Sequence, residues 1–279
     1  TELPPSSNNT TLTIDKTQII PDGSDTATVT LTLKDSLGSL VKADPVPAII
    51  LQKSVDCTLT LTQNSFTNGV ITGTLTTSTA PASCSVSVSV DQGMIQPVTV
   101  ISKTLSVLSV TKSGTFNSTT VGNTSNEVVY TITNSGQVEA KEINRIISGP
   151  FEIKSTTCIT ELSGTTNNTC TINVAFKPTS AGIGTCELKI EYNNGKEKKT
   201  ITESLTATGQ TPAAITSDVQ VVEFKDVIEG TAAQTKTITL TNGGSTEATD
   251  VTITNLNAPF NQANTCATIP ANSTCPITV

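Results

Sequence analysis

The sequence predicts an all-β protein, built from tandem β-sandwiches that are arranged end to end as a rod. Apolar and polar residues alternate with a period of two along most of the 279-residue chain, as they do in a strand with one buried and one solvated face. Gly, Asn, Asp and Pro separate these short runs and supply the turns between strands. With 35% hydrophobic and 14% charged residues, the chain can form cores and is not disordered by composition.

The alternating runs can be followed along the whole chain. Each places apolar residues on one face with mostly polar residues between them, which suits a half-solvated strand. The clearest apolar faces are Ala27-Val29-Leu31-Leu33, Val55-Cys57-Leu59-Leu61, Cys84-Val86-Val88-Val90, Cys170-Ile172-Val174-Phe176 and Cys186-Leu188-Ile190-Tyr192. Helical spacing is absent over any useful length, so the sequence predicts no helix.

An internal repeat relates the middle of the chain to its last part. The residues Phe116, Gly122 and Asn134-Ser135-Gly136 recur 108 residues later as Phe224, Gly230 and Asn242-Gly243-Gly244. Further matches are Pro150-Phe151 with Pro259-Phe260, Thr157-Cys158 with Thr265-Cys266, and Thr169–Val174 with Thr274–Val279. Segments that share this many spaced positions are expected to share one fold.

These observations divide the chain into a first unit of residues 1–104, a second unit of residues 105–210 and a third unit of residues 211–279. Only a few residues link neighbouring units, which leaves little room for hinge motion and predicts the rod. Val279 aligns with Val174, after which the second unit continues for 36 further residues. We therefore expect an incomplete third unit with an open edge after Cys275–Val279, because the native chain continues or because a partner chain donates the missing strands.

Seven cysteines without any histidine favour disulfide bonds over a metal site. The cysteines fall into groups, two of which recur at matching places of the repeat. The predicted pairs are Cys57–Cys84, Cys158–Cys170 and Cys266–Cys275. Cys186 is left over and alternates with Leu188, so we expect it to be a buried free thiol. Disulfides indicate an extracellular, cell-surface or periplasmic protein, and buried thiols in a cytosolic protein are the alternative.

The composition excludes several classes of function. Without histidine, the chain has no Ser-His-Asp or Cys-His nucleophile, no His-ligated zinc and no imidazole acid or base. A net charge of −7 without a Lys/Arg cluster argues against nucleic acid as a partner, because phosphates require a basic surface. No apolar run is long enough to span a bilayer. The chain begins at Thr1, so either a signal peptide was removed or this is an excised piece.

Paired carboxylates are one remaining candidate for chemistry, because a glycosidase uses two of them. The pairs Asp22/Asp25 and Glu139/Glu142 fall in predicted turns and connections, which favours a solvated surface. The chain has 2 Tyr, 6 Phe and no Trp, which leaves little to build an aromatic platform for a sugar. We therefore predict no catalytic residue.

Calcium at a junction between units is the other candidate, with Asp15, Asp22, Asp25 and Asp35 as ligands. The preference of aspartate for turns also explains why these residues occur where they do, and the sequence has no EF-hand loop. Gly182-Ile183-Gly184 lacks a third glycine and precedes a strand, so it predicts a turn rather than a nucleotide site. We predict that the protein has neither a cofactor nor a bound metal.

The first unit resembles the bacterial Ig-like domains of invasin and intimin stalks, over residues 8–104. The resemblance lies in Leu12-Thr13-Ile14, Asp22-Gly23, the run from Ala27 to Asp35, Gly38 and Val41. The turn from Asp35 to Gly38 fits a connection between two strands, since Asp and Gly supply turn geometry. Cys57 and Cys84 depart from the common pattern of that family.

The second and third units resemble the Hydin-type Ig-like repeats of bacterial surface proteins with a choice-of-anchor architecture. The matching strings are Phe116 with Val121-Gly122, Tyr130–Gly136, Cys170–Val174 and Ala175–Gly182. The resemblance implies a sandwich of seven or eight strands in each complete unit. It implies no chemistry, because such folds carry many binding roles.

These features predict a non-enzymatic, secreted or surface-exposed bacterial protein that acts as an adhesin or stalk. Its expected partner is a protein or glycan receptor, or other copies of itself. A structural subunit of an extracellular filament, sheath or secretion assembly is the alternative, because Ig-like units associate readily through edge strands. An accessory module of an enzyme would need a catalytic domain outside this sequence.

Overall fold

The computed structural model describes residues 3–42, 49–62, 68–78, 82–90 and 93–279, which contain twenty strands and no helix. The strands of the first unit are β1 (Thr11–Ile14), β2 (Gln18–Ile19), β3 (Ala27–Thr32), β4 (Ile49–Lys53), β5 (Thr58–Leu61), β6 (Val70–Thr76), β7 (Ala82–Val90) and β8 (Gly93–Ser102). Those of the second unit are β9 (Leu108–Ser113), β10 (Thr119–Thr120), β11 (Glu127–Asn134), β12 (Lys141–Ile146), β13 (Phe151–Thr156), β14 (Thr169–Phe176), β15 (Gly182–Asn193) and β16 (Lys198–Gln210). Those of the third are β17 (Ile215–Ser217), β18 (Thr237–Asn242), β19 (Ala263–Asn264) and β20 (Thr274–Thr278). The fold class predicted from the alternation, all-β, is confirmed.

The first unit is a sandwich of two four-stranded sheets. Sheet I has the order β1-β3-β6-β5, and sheet II has the order β2-β8-β7-β4. Alternate residues of β3 and β7 point into one core, with Thr or Ser outward between them. The core is aliphatic, which follows from the scarcity of aromatic residues in the sequence.

The predicted apolar face from Val55 to Leu61 is wrong at its start. Residues 55 and 56 form a turn, and the side chain of Val55 is 92% exposed. The strand begins only at Thr58, after Cys57 has turned inward to 3% exposure. A period-two pattern can continue through a turn by chance, because alternation measures side-chain type and not backbone pairing.

The second unit is a sandwich of sheet III, with the order β13-β14-β11-β9, and sheet IV, with the order β10-β16-β15-β12. β15 and β16 form the longest hairpin, paired from Gly182↔Gly209 to Asn193↔Lys198. The two sheets enclose a core in which Tyr130 and Phe176 are each 1% exposed. The hydroxyl oxygen of Tyr192 accepts a hydrogen bond from the amide of Leu108 at 3.3 Å, which connects sheet IV to sheet III.

The third unit has a single sheet among its described residues, sheet V, with the order β17-β18-β20-β19. This order is that of β9-β11-β14-β13 in sheet III, as the repeat in the sequence predicts. The expected open edge does not lie on β20, which pairs with β18 on one side and β19 on the other. The inner face of the sheet is only partly covered, because Cys275 and Ile277 are buried while Ile238 and Leu240 are half-buried. The hairpin that covers sheet III follows β14, and no strands follow β20 here.

Candidate functional site

The structure joins Cys57 to Cys84 by a disulfide with a Cα–Cα distance of 5.7 Å. Cys57 immediately precedes β5 of sheet I, and Cys84 lies in β7 of sheet II. Both side chains are buried in the core. The bond therefore connects the two sheets of the first unit from within.

Disulfides also join Cys158 to Cys170 and Cys266 to Cys275, with Cα–Cα distances of 4.9 and 5.7 Å. In both units the bond attaches the loop after an edge strand to an inner strand, β14 or β20. Arg145 of the second unit also donates a hydrogen bond to the carbonyl of Cys158. Closing a loop of this size stabilises the folded state by about 3 kcal/mol in the chain-entropy account.

Cys186 is the free thiol of the described residues, and it is half-buried instead of buried as predicted. It lies on the inward side of β15 with Leu188, but near the end of the core. The turn at Ser148-Gly149 lies over it, and the amide of Ser148 donates a hydrogen bond to its Sγ at 3.3 Å.

The acidic residues considered as calcium ligands hold turns and strand ends instead. The carboxylate of Asp35 accepts hydrogen bonds from the amides of Leu37 and Ser39, both at 2.9 Å. That of Asp15 accepts from the amide of Thr28 at 2.7 Å. Burial raises the pKa of the Asp15 carboxyl, but the hydrogen bonds from Thr28 and the charge of Lys16 act in the opposite direction, and the pKa is lowered. Within the described ranges, no three His, Cys, Asp or Glu side chains form a group that could hold a metal ion.

Asp22 and Asp25 lie close together at the junction of the first and second units. Lys196, in the turn between β15 and β16, reaches Asp22 across the junction with an Nζ–Oδ2 distance of 2.6 Å. This hydrogen bond, with those from the amides of Asp25 and Ser24, holds the pKa of Asp22 well below its usual range. The same contact raises the pKa of Lys196. An ammonium group thus lies where the calcium hypothesis placed a cation.

The structure also shows where two other features predicted from the sequence lie. Glu139 and Glu142 form surface ion pairs with Lys141 and Lys198, each at 3.6 Å. Gly182-Ile183-Gly184 begins strand β15 and is not the predicted turn. A Cβ on Gly184 would lie 2.7 Å from the ring of Phe176, so this glycine makes room for a core aromatic.

The apolar face of sheet V is less completely covered than the corresponding face of sheet III, which packs against sheet IV. Ile132 of sheet III is 1% exposed, whereas its counterpart Leu240 is only half-buried. Phe151 is 5% exposed at the end of sheet III, and its counterpart Phe260 is 50% exposed. The ring of Phe260 packs on Phe224 at a centroid distance of 5.5 Å and lines a surface groove there. This face is the largest structural difference between the two repeats.

Two buried asparagines were noted in the sequence only as markers of the repeat. Asn134 and Asn242 are each fully buried, and each makes hydrogen bonds with both amide atoms of its side chain. A recurring Asn-x-Gly at the end of a strand is the signal that could have identified them. The contact of Lys196 with Asp22 had no such signal, because the two residues are 174 positions apart.

Comparison with models of protein families and with curated proteins gives no match. Solved structures of bacterial adhesins do match. The chain is similar to invasin, described as a bacterial integrin-binding protein, with 14% identity over 87% of this chain and 58% of that one and a TM-score of 0.46. It is similar to the Escherichia coli adhesin FdeC, with 14% identity over 100% of this chain and 90% of that one and a TM-score of 0.44. It is similar to the adhesin InvE of Yersinia pseudotuberculosis, with 20% identity over 72% of this chain and 60% of that one and a TM-score of 0.32.

An intimin fragment is also among the matching structures, with 17% identity over 75% of this chain and 66% of that one and a TM-score of 0.33. The Hydin-type resemblance of the other two units has no support from the three comparisons and stays a prediction. The chain spans less than two thirds of the length of the invasin and InvE chains that it matches. In the described residues, no helix has the length and apolar character that a membrane span requires.

Proposed function

We propose that this chain is a non-enzymatic stalk segment of a bacterial adhesin, secreted or displayed at the cell surface. Its modules are the units of residues 1–104, 105–210 and 211–279. The stalk holds a binding region at a distance from its anchor, which requires units that resist unfolding and junctions that do not bend freely.

The observation that carries this proposal is the way in which the units are built and joined. Each unit contains a disulfide within its fold, and disulfides persist in the oxidising compartments where adhesins work. The second unit contacts the first through the ion pair of Lys196 with Asp22 and through hydrogen bonds between Thr104 and Gln137. Contacts of this kind restrict the motion between neighbouring units.

The partner that we propose is a protein receptor. Invasin is described as integrin-binding, and an intimin fragment was solved in complex with the intimin-binding domain of the translocated intimin receptor. A glycan receptor is less well supported, because carbohydrate sites use exposed aromatic faces. Tyr130, Phe151, Phe176 and Tyr192 are buried, and Phe260 is the exposed aromatic residue of the described part of the chain.

The proposal is tested by shape and by binding together. Negative-stain microscopy and light scattering of the purified chain are expected to show an elongated monomer. Biolayer interferometry against immobilised integrin ectodomains, fibronectin, laminin and a glycan panel is expected to show tighter binding to a protein than to any glycan. A flexible string of units in microscopy would contradict the stalk, and binding confined to glycans would contradict the proposed class of partner.

The open face of sheet V supports a second proposal, in which this chain is a subunit of an extracellular assembly. Leu240 of sheet V is half-buried and Phe260, in the loop before β19, is 50% exposed, so this surface gains stability when strands from another chain cover it. Light scattering at increasing concentration separates the two proposals. Defined oligomers or polymers that a Leu240→Asp substitution dissolves would favour the assembly, and a monomer at all concentrations would favour the stalk.

A further inference from the structure

The linker that enters the second unit lies on a turn formed by Asn134, Ser135 and Gly136. The side-chain oxygen of Asn134 accepts hydrogen bonds from the amides of Val107 at 3.2 Å and Gly136 at 3.0 Å. Its side-chain nitrogen donates to the carbonyls of Val138 at 2.9 Å and Leu162 at 3.1 Å. One buried amide thus connects the linker, the turn and a loop of the same unit.

The third unit repeats this arrangement with Asn242, Gly243 and Gly244. The oxygen of Asn242 accepts from the amides of Ala214 at 3.1 Å and Gly244 at 3.0 Å. Its nitrogen donates to the carbonyls of Thr246 at 2.9 Å and Ile269 at 3.0 Å. These four hydrogen bonds match those of Asn134, and Asn242 donates one more, to the carbonyl of Pro270 at 3.2 Å.

The glycine of each turn is required by contact with the linker. A Cβ on Gly136 would lie 2.0 Å from the carbonyl oxygen of Leu105, and a Cβ on Gly244 would lie 2.0 Å from that of Pro212. Neither glycine has a positive φ, so backbone conformation does not demand glycine here. The absence of a side chain instead lets the linker backbone lie directly on the turn.

A reciprocal pair of hydrogen bonds holds the start of each linker. The amide of Thr104 donates to Oε1 of Gln137, and the amide of Gln137 donates to Oγ1 of Thr104, both at 3.1 Å. The amide of Thr211 donates to Oγ of Ser245 at 2.7 Å, and the amide of Ser245 donates to Oγ1 of Thr211 at 2.8 Å. A threonine therefore begins both linkers, and its partner is the residue after the turn glycine.

In neither linker does an unconstrained residue precede this contact. β16 ends at Gln210, so Thr211 is the next residue of the chain, and the side chain of Gln210 itself donates to the carbonyl of Ser245 at 3.3 Å. β8 ends at Ser102, and the amide of Lys103 donates to the carbonyl of Ile19 at 3.1 Å before Thr104 is reached. A linker that is held from its first residue transmits the direction of the last strand to the next unit.

We propose that the Asn-x-Gly turn of each repeat is a docking site for the linker entering that repeat, and that this clamp fixes the orientation between successive units. The clamp is carried within each repeat, so every added repeat would join its predecessor in the same manner. This inference deepens the proposed stalk function. Its test measures orientation and not receptor binding, so the two can fail separately.

The chain offers a matched pair of substitutions in adjacent residues. Gly244→Ala places a Cβ against the linker, whereas Gly243→Ala places one with its nearest contact at 3.9 Å, from the carbonyl oxygen of Ala214. In the full chain with Gly244→Ala, amide exchange at Thr211 and Ala214 is expected to be at least about tenfold faster, because one or two hydrogen bonds are lost. Exchange in β18 and β20 should stay unchanged, and Gly243→Ala should behave as the parent chain.

Residual dipolar couplings of the same proteins give the orientation itself. In the parent chain and in Gly243→Ala, the second and third units are expected to share one alignment tensor, and in Gly244→Ala the two tensors should differ in magnitude. Equal effects of both substitutions, or shared alignment in Gly244→Ala, would overturn the proposal.

A milder variant keeps the test valid where Gly244→Ala unfolds the third unit. Ser245→Ala removes the acceptor of the Thr211 amide and adds no atom. It is expected to accelerate exchange at Thr211 about fivefold, in keeping with one lost hydrogen bond, and to weaken the shared alignment. Unchanged alignment together with faster exchange would overturn the inference that the clamp sets orientation.

Discussion

The second and third units start from the same sequence pattern and differ in how far they complete a sandwich. Each has a four-stranded sheet of the same order, a disulfide to the inner strand and a buried asparagine at the turn. Sheet III packs against sheet IV, whereas sheet V packs on loops alone. Strand pairing within a sheet therefore depends on the segments of that sheet, whereas burial of the face of the sheet requires a second sheet.

The missing second sheet of the third unit also affects segments that are apolar but have no partner strand. β12 is a strand in the second unit, where it pairs with β15. Its counterpart in the third unit contains Val251 and Ile253, which lie against the small core without forming a strand. The amide of Val251 donates a hydrogen bond to the carbonyl of Ala267 at 3.0 Å, but a regular strand also needs a neighbouring strand such as β15.

Truncation of matching core residues gives the largest expected effect. Ile132→Ala removes a side chain that is 1% exposed, and should lower the free energy of unfolding by about 3–4 kcal/mol. Leu240→Ala should cost only about 1 kcal/mol, since that side chain is already partly exposed to water and packs on a small core. Both tyrosines lie in the second unit, so tyrosine fluorescence during urea unfolding reports Ile132→Ala, and amide exchange in β18 reports Leu240→Ala. Equal costs would show that the face of sheet V is covered.

Removal of the repeated disulfides comes next. Replacing Cys158 and Cys170 together by Ala should lower the stability of the second unit by about 3 kcal/mol, measured in the same urea experiment. The corresponding pair, Cys266 and Cys275, closes a sequence separation of 9 instead of 12, so its intrinsic contribution is slightly smaller. The third unit has a smaller core, however, and its loss of amide protection is expected to be complete.

Peptide mapping without reduction provides the control for this comparison. It is expected to find the pairs Cys57–Cys84, Cys158–Cys170 and Cys266–Cys275, with Cys186 free. A fragment in which Cys186 is bridged to any of the six would contradict the pairing and the interpretation of the double substitutions.

Covering the open face would remove the difference between the units. A copy of residues 175–210 fused after Val279 carries the hairpin that covers sheet III, and should cover sheet V in the same way. In the fused protein, the cost of Leu240→Ala should rise by about 2 kcal/mol toward that of Ile132→Ala. A fusion of the same residues in scrambled order is the control, and an unchanged cost would contradict the correspondence of the two sheets.

The smallest expected effect concerns the ion pair that only the first junction has. Lys196→Gln should raise the pKa of Asp22 toward its ordinary value near 3.8, which carbon chemical shifts of the carboxyl group measure during an acid titration. An unchanged pKa would mean that the turn amides alone hold it low. Both groups are exposed, so salt is expected to weaken the contact.

The pH dependence of this contact follows from the directions of the two shifts. Because the folded pKa of Asp22 is lowered, its contribution is present above the ordinary carboxyl range and is lost as pH falls through the lowered value. Because the pKa of Lys196 is raised, its contribution is present below the ordinary lysine range and is lost as pH rises through the raised value. Titration across the neutral range should therefore leave the junction unchanged.

Much of the strand structure could be predicted from the sequence, because a half-buried strand records its two faces in alternating residues. β3 and β7 are examples in which each inward position is apolar and each outward one is polar. Cys84 lies on such a face, and its predicted pairing with Cys57 rests only on how close the two cysteines are in the sequence. At Val55 the pattern continues into a turn, because alternation of side chains does not show where strand pairing stops.

The candidate site was less predictable, since its parts meet only after folding. Asp22 was considered as a calcium ligand because its partner across the junction could not be identified from the sequence. Cys186 was expected to be buried, because alternation gives the face of a residue and not the depth of cover above it. Asn134 and Asn242 recurred visibly, but their role depends on linker backbone that only the fold places against them.

The sequence by itself determined the period of the strands, the repeat of the second unit in the third, and the groups of cysteines close enough along the chain to pair. The tertiary structure decided which sheet faces are covered, which edges are paired and what lies across the junctions. The physical reason is range: side-chain alternation and turn geometry act over a few residues, whereas burial of Ile132 and exposure of Leu240 depend on whether a distant hairpin packs above them.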